Sequence, residues 1–235
     1  MLLNIKHLYG VSIAALDFVV GEVKDFYFDD KKWVIRYMVA DTGVWLPGRL
    51  VLISPHAFGP FDSEGRVLSI KLTKKKIEDS PSIESHRPVS RQYEVQYYRH
   101  YGWPSYWIGG GLWGGSGYPT VGPLLKAESE DERRDDHRDD KHLRSVRSIT
   151  GYHIQAIDGT IGHVSGLLVD DKSWAIRELV VETSHWYSGK EVLISHGKIE
   201  RISYEESKVF VSLTMEDIQR TAEHAIAESG EGKST

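Results

Sequence analysis

Cysteine is absent from all 235 residues of the chain. That excludes disulfides, thiolate nucleophiles and cysteine-ligated zinc, and it fits a reducing compartment. Long apolar runs are also missing: the apolar segments are strand-length, far short of the roughly 20 residues that a membrane-spanning helix needs. The N-terminus, Met1-Leu2-Leu3-Asn4-Ile5-Lys6-His7, has neither an extended apolar stretch nor a small-residue cleavage site, which argues against a signal peptide. There is no excess of positive charge. Lys and Arg number 29 against 34 Asp and Glu, a formal net charge of -5, so nothing in the balance calls for nucleic acid or an anionic membrane as partner. The expected location is the cytoplasm.

What is present is a repeat. Asp29-Asp30-Lys31-Lys32-Trp33-Val34-Ile35-Arg36 returns 141 positions later as Asp170-Asp171-Lys172-Ser173-Trp174-Ala175-Ile176-Arg177. Val51-Leu52-Ile53-Ser54 likewise returns as Val192-Leu193-Ile194-Ser195. From 29 to 54, 14 of 26 positions are identical to their partners, where chance gives roughly one or two. A tandem duplication of this kind sets the domain plan. The correspondence runs from about Leu8 to Ile77 and again from Ile149 to Ile218.

Within each copy, short apolar segments alternate with Gly, Asp-Asp and Pro punctuation, the pattern of many short strands. Val20–Phe28 and Ile161–Val169 read as a first long strand, Trp33–Ala40 and Trp174–Val181 as its return, and the Asp-Asp-Lys segment between them as a tight turn. Alternation slips inside the long strand: Val23 and Val164 share one phase, whereas Phe26, Phe28, Leu167 and Val169 share the other. An extra residue at Asp25 or Gly166 would reconcile the phases, which predicts a β-bulge there. Leu68, Ile70 and Leu72 match Val209, Val211 and Leu213 at strict period two. Thr73 and Thr214 then stand where N-caps belong, ahead of short helices, the second reaching about Ala227. Five or six short strands in about 70 residues predict a closed or nearly closed barrel, which leaves no exposed edges.

The unit resembles the PRC-barrel, the β-barrel of the photosynthetic reaction-centre H subunit and of a ribosome maturation factor. The resemblance rests on Gly21 and Gly162, on Asp29-Asp30 and Asp170-Asp171, on Val39 and Val180, and on Thr42 and Thr183. The Val-Leu-Ile-Ser runs and the closing Leu72-Thr73 and Leu213-Thr214 pairs complete it. It covers both repeats, and the two-copy layout resembles bacterial tandem PRC-barrel proteins. Such motifs specify a fold rather than a reaction. The expectation is an all-β (mainly) protein: a first barrel over 1–80, a connecting region over 81–147, a second barrel over 148–220, and a C-terminal helix end and disordered tail over 221–235.

The connecting region differs in character. Pro81 to Pro88 reads as a polar linker. Ser90 to Tyr101 predicts a short helix, with Ser90 as N-cap, Tyr93, Tyr97 and Tyr101 on one face, and Gly102 ending it. The stretch from Trp103 to Pro119 is rich in Trp, Tyr and Gly. Nine of the chain's 25 Phe, Trp and Tyr residues fall between Tyr93 and Tyr118. Two roles compete for them: an intramolecular cover over the barrels, or an exposed subunit interface or docking surface. The candidate interaction residues are Tyr97, Tyr101, Trp103, Tyr106, Trp107, Trp113 and Tyr118. Glu128 to His142 carries eight acidic and four basic residues and reads as a solvated linker. Its alternative, a divalent-ion site at Asp135, Asp136, Asp139 and Asp140, lacks the glycine-punctuated spacing of a calcium loop.

Residues identical in both copies are most simply explained by barrel construction. Gly21/Gly162 and Gly48/Gly189 suit bends or positive φ; Trp33/Trp174 and Trp45/Trp186 suit core or rim. Arg36 and Arg177, among apolar strand residues, suit an ion pair with a neighbouring strand, with an anion site as the weaker alternative. Of the 11 histidines, His137 and His142 lie in the charge run, while His163, His185 and His196 replace Glu22, Val44 and Pro55 of the other copy. No His-Glu-x-x-His spacing, serine-hydrolase elbow, phosphate loop or dinucleotide fingerprint appears. Gly109-Gly110-Gly111 lacks the following helix and basic residue that phosphate binding wants.

The composition therefore predicts no enzyme, no cofactor and no metal. Both faces of the second strand are apolar: Ile35 and Val39 on one, Val34, Met38 and Ala40 on the other, with Ile176, Val180, Leu179 and Val181 repeating the scheme. The outer face needs a cover from the second barrel, the aromatic segment or another subunit. The leading expectation is a non-catalytic protein-protein interaction or assembly module, two barrels in pseudo-two-fold symmetry within a homo-oligomer, its protein partner unidentified. Two alternatives follow from the resemblance: RNA-processing or ribosome-associated binding, for which Lys74-Lys75-Lys76 is the only compact basic cluster, and a membrane-proximal accessory role without a membrane span.

Overall fold

The structure, a computed structural model, describes residues 1–47, 49–61, 67–81, 89, 91–120, 143–183 and 190–221. It is mainly β, with two seven-stranded sheets and a few short helices. In chain order the elements are β1 (Leu2–Asn4), β2 (Ser12–Ala14), β3 (Val19–Asp29), β4 (Val34–Asp41), β5 (Leu50–Ile53), β6 (Phe58–Phe61) and β7 (Val67–Ile70). Helices α1 (Lys74–Glu78) and α2 (Arg91–Tyr101) follow, then β8 (Leu143–Ser145) and α3 (Val146–Ile149). The second copy supplies β9 (His153–Gln155), β10 (Thr160–Asp170), β11 (Ile176–Thr183), β12 (Glu191–Ser195), β13 (Ile199–Ser203) and β14 (Lys208–Val211).

The two sheets have one topology written twice. The first runs β5-β4-β3-β2-β7-β6 and the second β12-β11-β10-β9-β14-β13. In each, one parallel pairing, β2 with β7 and β9 with β14, interrupts antiparallel neighbours. The seventh strand of each sheet comes from the segment preceding the other repeat: β8 pairs with β3, and β1 pairs with β10. The chain divides into two compact units accordingly. The first comprises Met1, His7–Val146 and Asp170–Ala175; the second comprises Leu2–Lys6, Arg147–Val169 and Ile176–Thr235. Helix α2 and the aromatic segment after it thus belong to the first unit.

The predicted bulge is present in both long strands. In β3 the register steps from Val23↔Ala40 to Asp25↔Val39, leaving Lys24 as the extra residue. In β10 it steps from Val164↔Val181 to Gly166↔Val180, leaving Ser165. The extra residue sits one position before the one expected, and it lets Val23, Phe26 and Phe28 all be buried despite their clashing phases. A second bulge lies on the return strand. Tyr27↔Tyr37 is followed by Phe28↔Ile35, so Arg36 is the extra residue in β4; Leu168↔Glu178 and Val169↔Ile176 isolate Arg177 in the same way in β11.

The hairpin turns follow from the Asp side chains. Asp29 Oδ1 accepts from the backbone N–H of Lys31 and Lys32 at 3.0 and 2.9 Å, and Asp170 Oδ1 accepts from those of Lys172 and Ser173 at 3.2 and 2.7 Å. Each turn ends on a tryptophan in the left-handed region, Trp33 at φ 51 and Trp174 at φ 57. That conformation costs a bulky residue about 1–3 kcal/mol. At Trp174 ring burial offsets the cost: it is 2% exposed and packs against Phe26 and Phe58 at centroid distances of 6.2 and 4.6 Å.

The helix starts also repeat. Thr73 caps α1 by accepting from Lys76 N–H. At the second start Thr214 Oγ1 accepts from Asp217 N–H while Asp217 Oδ2 accepts from Thr214 N–H, a reciprocal pair that satisfies two otherwise orphaned donors. Residues 215–221 are helical; the expected continuation to Ala227, the tail, the 82–88 linker, the charge run, His185, Trp186, Gly48 and Gly189 lie outside the described residues. No helix among the described residues is long and apolar enough to cross a membrane.

Candidate functional site

The residues that set the first unit apart from the second come from the region between the repeats. Helix α2 forms where the tyrosine spacing predicts it. It ends at Gly102, φ 72, and Trp103 N–H returns to Tyr98 C=O at 3.0 Å, closing the last turn. Tyr93, Tyr97 and Tyr101 follow one another along one face, with ring centroids 6.0 and 4.8 Å apart. Beyond the helix the chain folds back in tight glycine turns. Gly109 has φ 106, and a side chain on it would collide with the Gly114 backbone.

Of the seven candidate interaction residues, five are buried within the protein. Tyr97 is 0%, Tyr101 6%, Trp103 5%, Tyr106 4% and Trp113 2% exposed. Their rings spend their apolar area on the first unit's own packing. Trp107 is half-buried, and Tyr118 is exposed. The structure therefore brings six of the seven into one cluster and leaves Tyr118 at the surface.

Beneath the rings lies a buried ionic network that the sequence pattern did not reveal. Glu94, 0% exposed on α2, accepts hydrogen bonds from Tyr37 Oη at 2.6 Å, Tyr106 Oη at 2.9 Å and Arg91 Nη1 at 2.9 Å. A buried carboxylate survives only when its lone pairs are filled and its charge is matched, and both conditions hold. Burial and the facing Glu94 push the Tyr37 hydroxyl well above its ordinary pKa, and the same causes raise Tyr106. Both stay protonated as donors. The signal that could have found Glu94 is its place: it sits three residues after Arg91 and four before Tyr98, inside the aromatic helix.

Arg36 meets this network from the strand side. Its bulge delivers the guanidinium to Asp29 Oδ2 at 3.0 Å and to the Leu112 carbonyl at 2.5 Å. The guanidinium lies 3.8 Å from the Tyr106 ring centroid and 5.0 Å from that of Trp113, and the residue is 1% exposed. The expected ion pair with a neighbouring strand exists, its partner being Asp29 at the end of β3. Arg177, identical in sequence and at the same bulge, is exposed. The contrast arises because only the first unit carries the aromatic insert.

His56 is a third buried polar residue. Its Nδ1 lies 3.0 Å from Ser54 Oγ, its ring stacks on Trp103 at 5.5 Å, and its Nε2 has no partner. Ser54 and His56 are 0% and 3% exposed, so the pair is sealed into the core. Among the other histidines, His163 faces Glu182 at 3.6 Å and His196 Nδ1 lies 3.1 Å from the Arg177 carbonyl. No group of three or more potential metal ligands gathers among the described residues.

A cleft of about 230 Å³ opens beside this cluster, lined by Lys31, Lys32, Arg36, Arg91, Tyr106 and Trp107. Asp29 and the glycines at 109 and 111 complete its wall. No family model matches the chain, and no curated protein matches it significantly.

Proposed function

We propose that the protein is a non-catalytic interaction module built from two PRC-barrel-like units, and that its first partner is another copy of the chain. The resemblance in motifs and the strand order common to both sheets support the barrel reading. The observation that carries the interaction reading is a pair of exposed apolar residues at equivalent positions. Leu16 is 69% and Ile157 70% exposed, and each holds its turn by the same backbone bond, Leu16 N–H to Leu72 C=O at 2.9 Å and Ile157 N–H to Leu213 C=O at 3.0 Å. A core requires neither residue to be apolar. Single exposed apolar residues are ordinary, but the same one kept in both copies, with Val19 at 63% beside the first, suits a contact surface presented twice.

Light scattering on size-exclusion chromatography tests the proposal. The wild-type chain is expected to run as an assembly at micromolar concentration, and Leu16→Glu with Ile157→Glu is expected to dissociate it while circular dichroism stays unchanged. A wild-type monomer, or an assembly indifferent to both substitutions, would sink the idea.

A further inference from the structure

We infer that the cleft between the first hairpin turn and the aromatic insert is a binding site for a small oxyanion carrying two negative charges, phosphate or a short dicarboxylate. The charges favour such a partner. Lys31, Lys32, Arg36 and Arg91 line the cleft; Asp29 pairs with Arg36 and Glu94 with Arg91. Asp30, next along the turn, is engaged by Arg144 at 3.4 Å. Lys31 and Lys32 thus add two positive charges that neither Asp29 nor Glu94 matches, in a chain whose net charge is -5. Lys31 and Lys32 are exposed at the rim, and their ammonium groups make no ion pair among the described residues.

The interior of the site is already built. Arg36 is 1% exposed, yet its Nε has no hydrogen-bond partner, a donor left over in a place where unpaired donors are costly. Its guanidinium and that of Arg91 flank the Tyr106 ring, 3.8 and 5.5 Å from the centroid, and Arg91 also lies 4.3 Å from the centroid of Trp107. Aromatic rings thus hold both guanidinium planes, and held guanidinium forks suit oxyanions. Size narrows the ligand class further. At about 230 Å³ the cleft lies below the range of about 300–1,000 Å³ typical of larger ligands. A phosphate or a short dicarboxylate fits within it. The second copy of the repeat has Ser173 in place of Lys32 and an exposed Arg177, so among the described residues it does not repeat the site. The ligand is bound and not transformed, which goes beyond the assembly reading without depending on it.

Calorimetric titration of the full chain with inorganic phosphate and with malonate, at constant ionic strength in chloride, decides the matter. Saturable binding with a dissociation constant near or below about 1 mM is expected. Lys31→Ala with Lys32→Ala should weaken it by at least about tenfold, whereas Lys74→Ala with Lys75→Ala, outside the cleft, should change it by less than about twofold. Trp107→Phe should remove the part of the fluorescence response that tracks binding. The absence of saturable binding, or equal weakening by both lysine pairs, would overturn the site. Oligomeric state is measured on the same samples, so failure here stays distinct from failure of the assembly reading.

Discussion

The Arg36 guanidinium lies 3.8 Å from the centroid of the Tyr106 ring and 3.0 Å from Asp29, whereas Arg177, its partner in the repeat, is exposed. One arginine at one bulge thus has two fates, decided by what covers it. The pair makes a matched experiment inside a single molecule. Arg36→Ala leaves the nearly buried Asp29 carboxylate uncompensated and is expected to cost about 3–5 kcal/mol. Arg177→Ala should stay within about 0.5 kcal/mol. Urea unfolding of the two variants checks this, and equal losses would refute the account of the insert as the covering element.

Glu94 gives the second prediction. Tyr37, Tyr106 and Arg91 converge on its carboxylate, so Glu94→Ala removes the acceptor of two interior tyrosine hydroxyls and the carboxylate paired with Arg91, and is expected to cost about 3–5 kcal/mol. Glu94→Gln keeps an acceptor oxygen for Tyr37 or Tyr106 and loses the charge that Arg91 matches, so it should cost less, about 1–3 kcal/mol. A glutamine variant as unstable as the alanine variant would mean that charge, not hydrogen bonding, dominates the network.

The parts of this fold that the sequence shows are those in which local chemistry dictates geometry. Asp29 and Asp170 announce their turns because a short carboxylate caps backbone donors two and three residues on. The slipped phase of Val23 against Phe26 announces a bulge because the pleat has period two. Tyr93, Tyr97, Tyr101 and Gly102 announce a helix and its end. The candidate site is less legible because it depends on pairings distant in the chain. Arg36 lies 76 positions from the carbonyl it holds, and Tyr37 57 from Glu94. The strands β1 and β8 are too short to show a period, and each joins the sheet of the other repeat. The aromatic residues were visible as a cluster, but not the buried carboxylate at its centre, because a lone glutamate on a short helix reads as a solvated one.

Gly21 and Gly162 test the shared frame. A β-carbon on Gly21 would overlap the Asp41 carbonyl oxygen, and one on Gly162 would overlap that of Glu182. Both strands cross their neighbours there at backbone contact, and the obstacle is main chain that no rotamer change can move. Gly21→Ala and Gly162→Ala are each expected to destabilise by about 3 kcal/mol or more. Gly10→Ala and Gly151→Ala meet nothing within 4 Å but sit at φ 74 and 89, so their cost should be the smaller strain of about 1–2 kcal/mol. Thermal denaturation of the four variants ranks them, and the reverse order would show that strain, not close approach, keeps the glycines.

His56 sets the response to acid. Burial, and after it the charge of Arg36, holds its imidazole down at about 4, against an ordinary value of 6.5. Between those two values the unfolded chain takes up a proton that the folded chain refuses. Acid therefore favours unfolding: the His56 contribution is intact above about pH 6.5 and is lost as the pH falls towards 4. A shift of this size corresponds to about 3 kcal/mol over that window. His56→Phe keeps a ring against Trp103 and removes the titrating group. Urea unfolding from pH 7 to pH 4 should show the wild type losing about 3 kcal/mol more than the variant, with the difference confined to that interval. Parallel curves for the two proteins would mean that His56 is protonated in the folded state, and that its unpartnered Nε2 finds an acceptor when it charges.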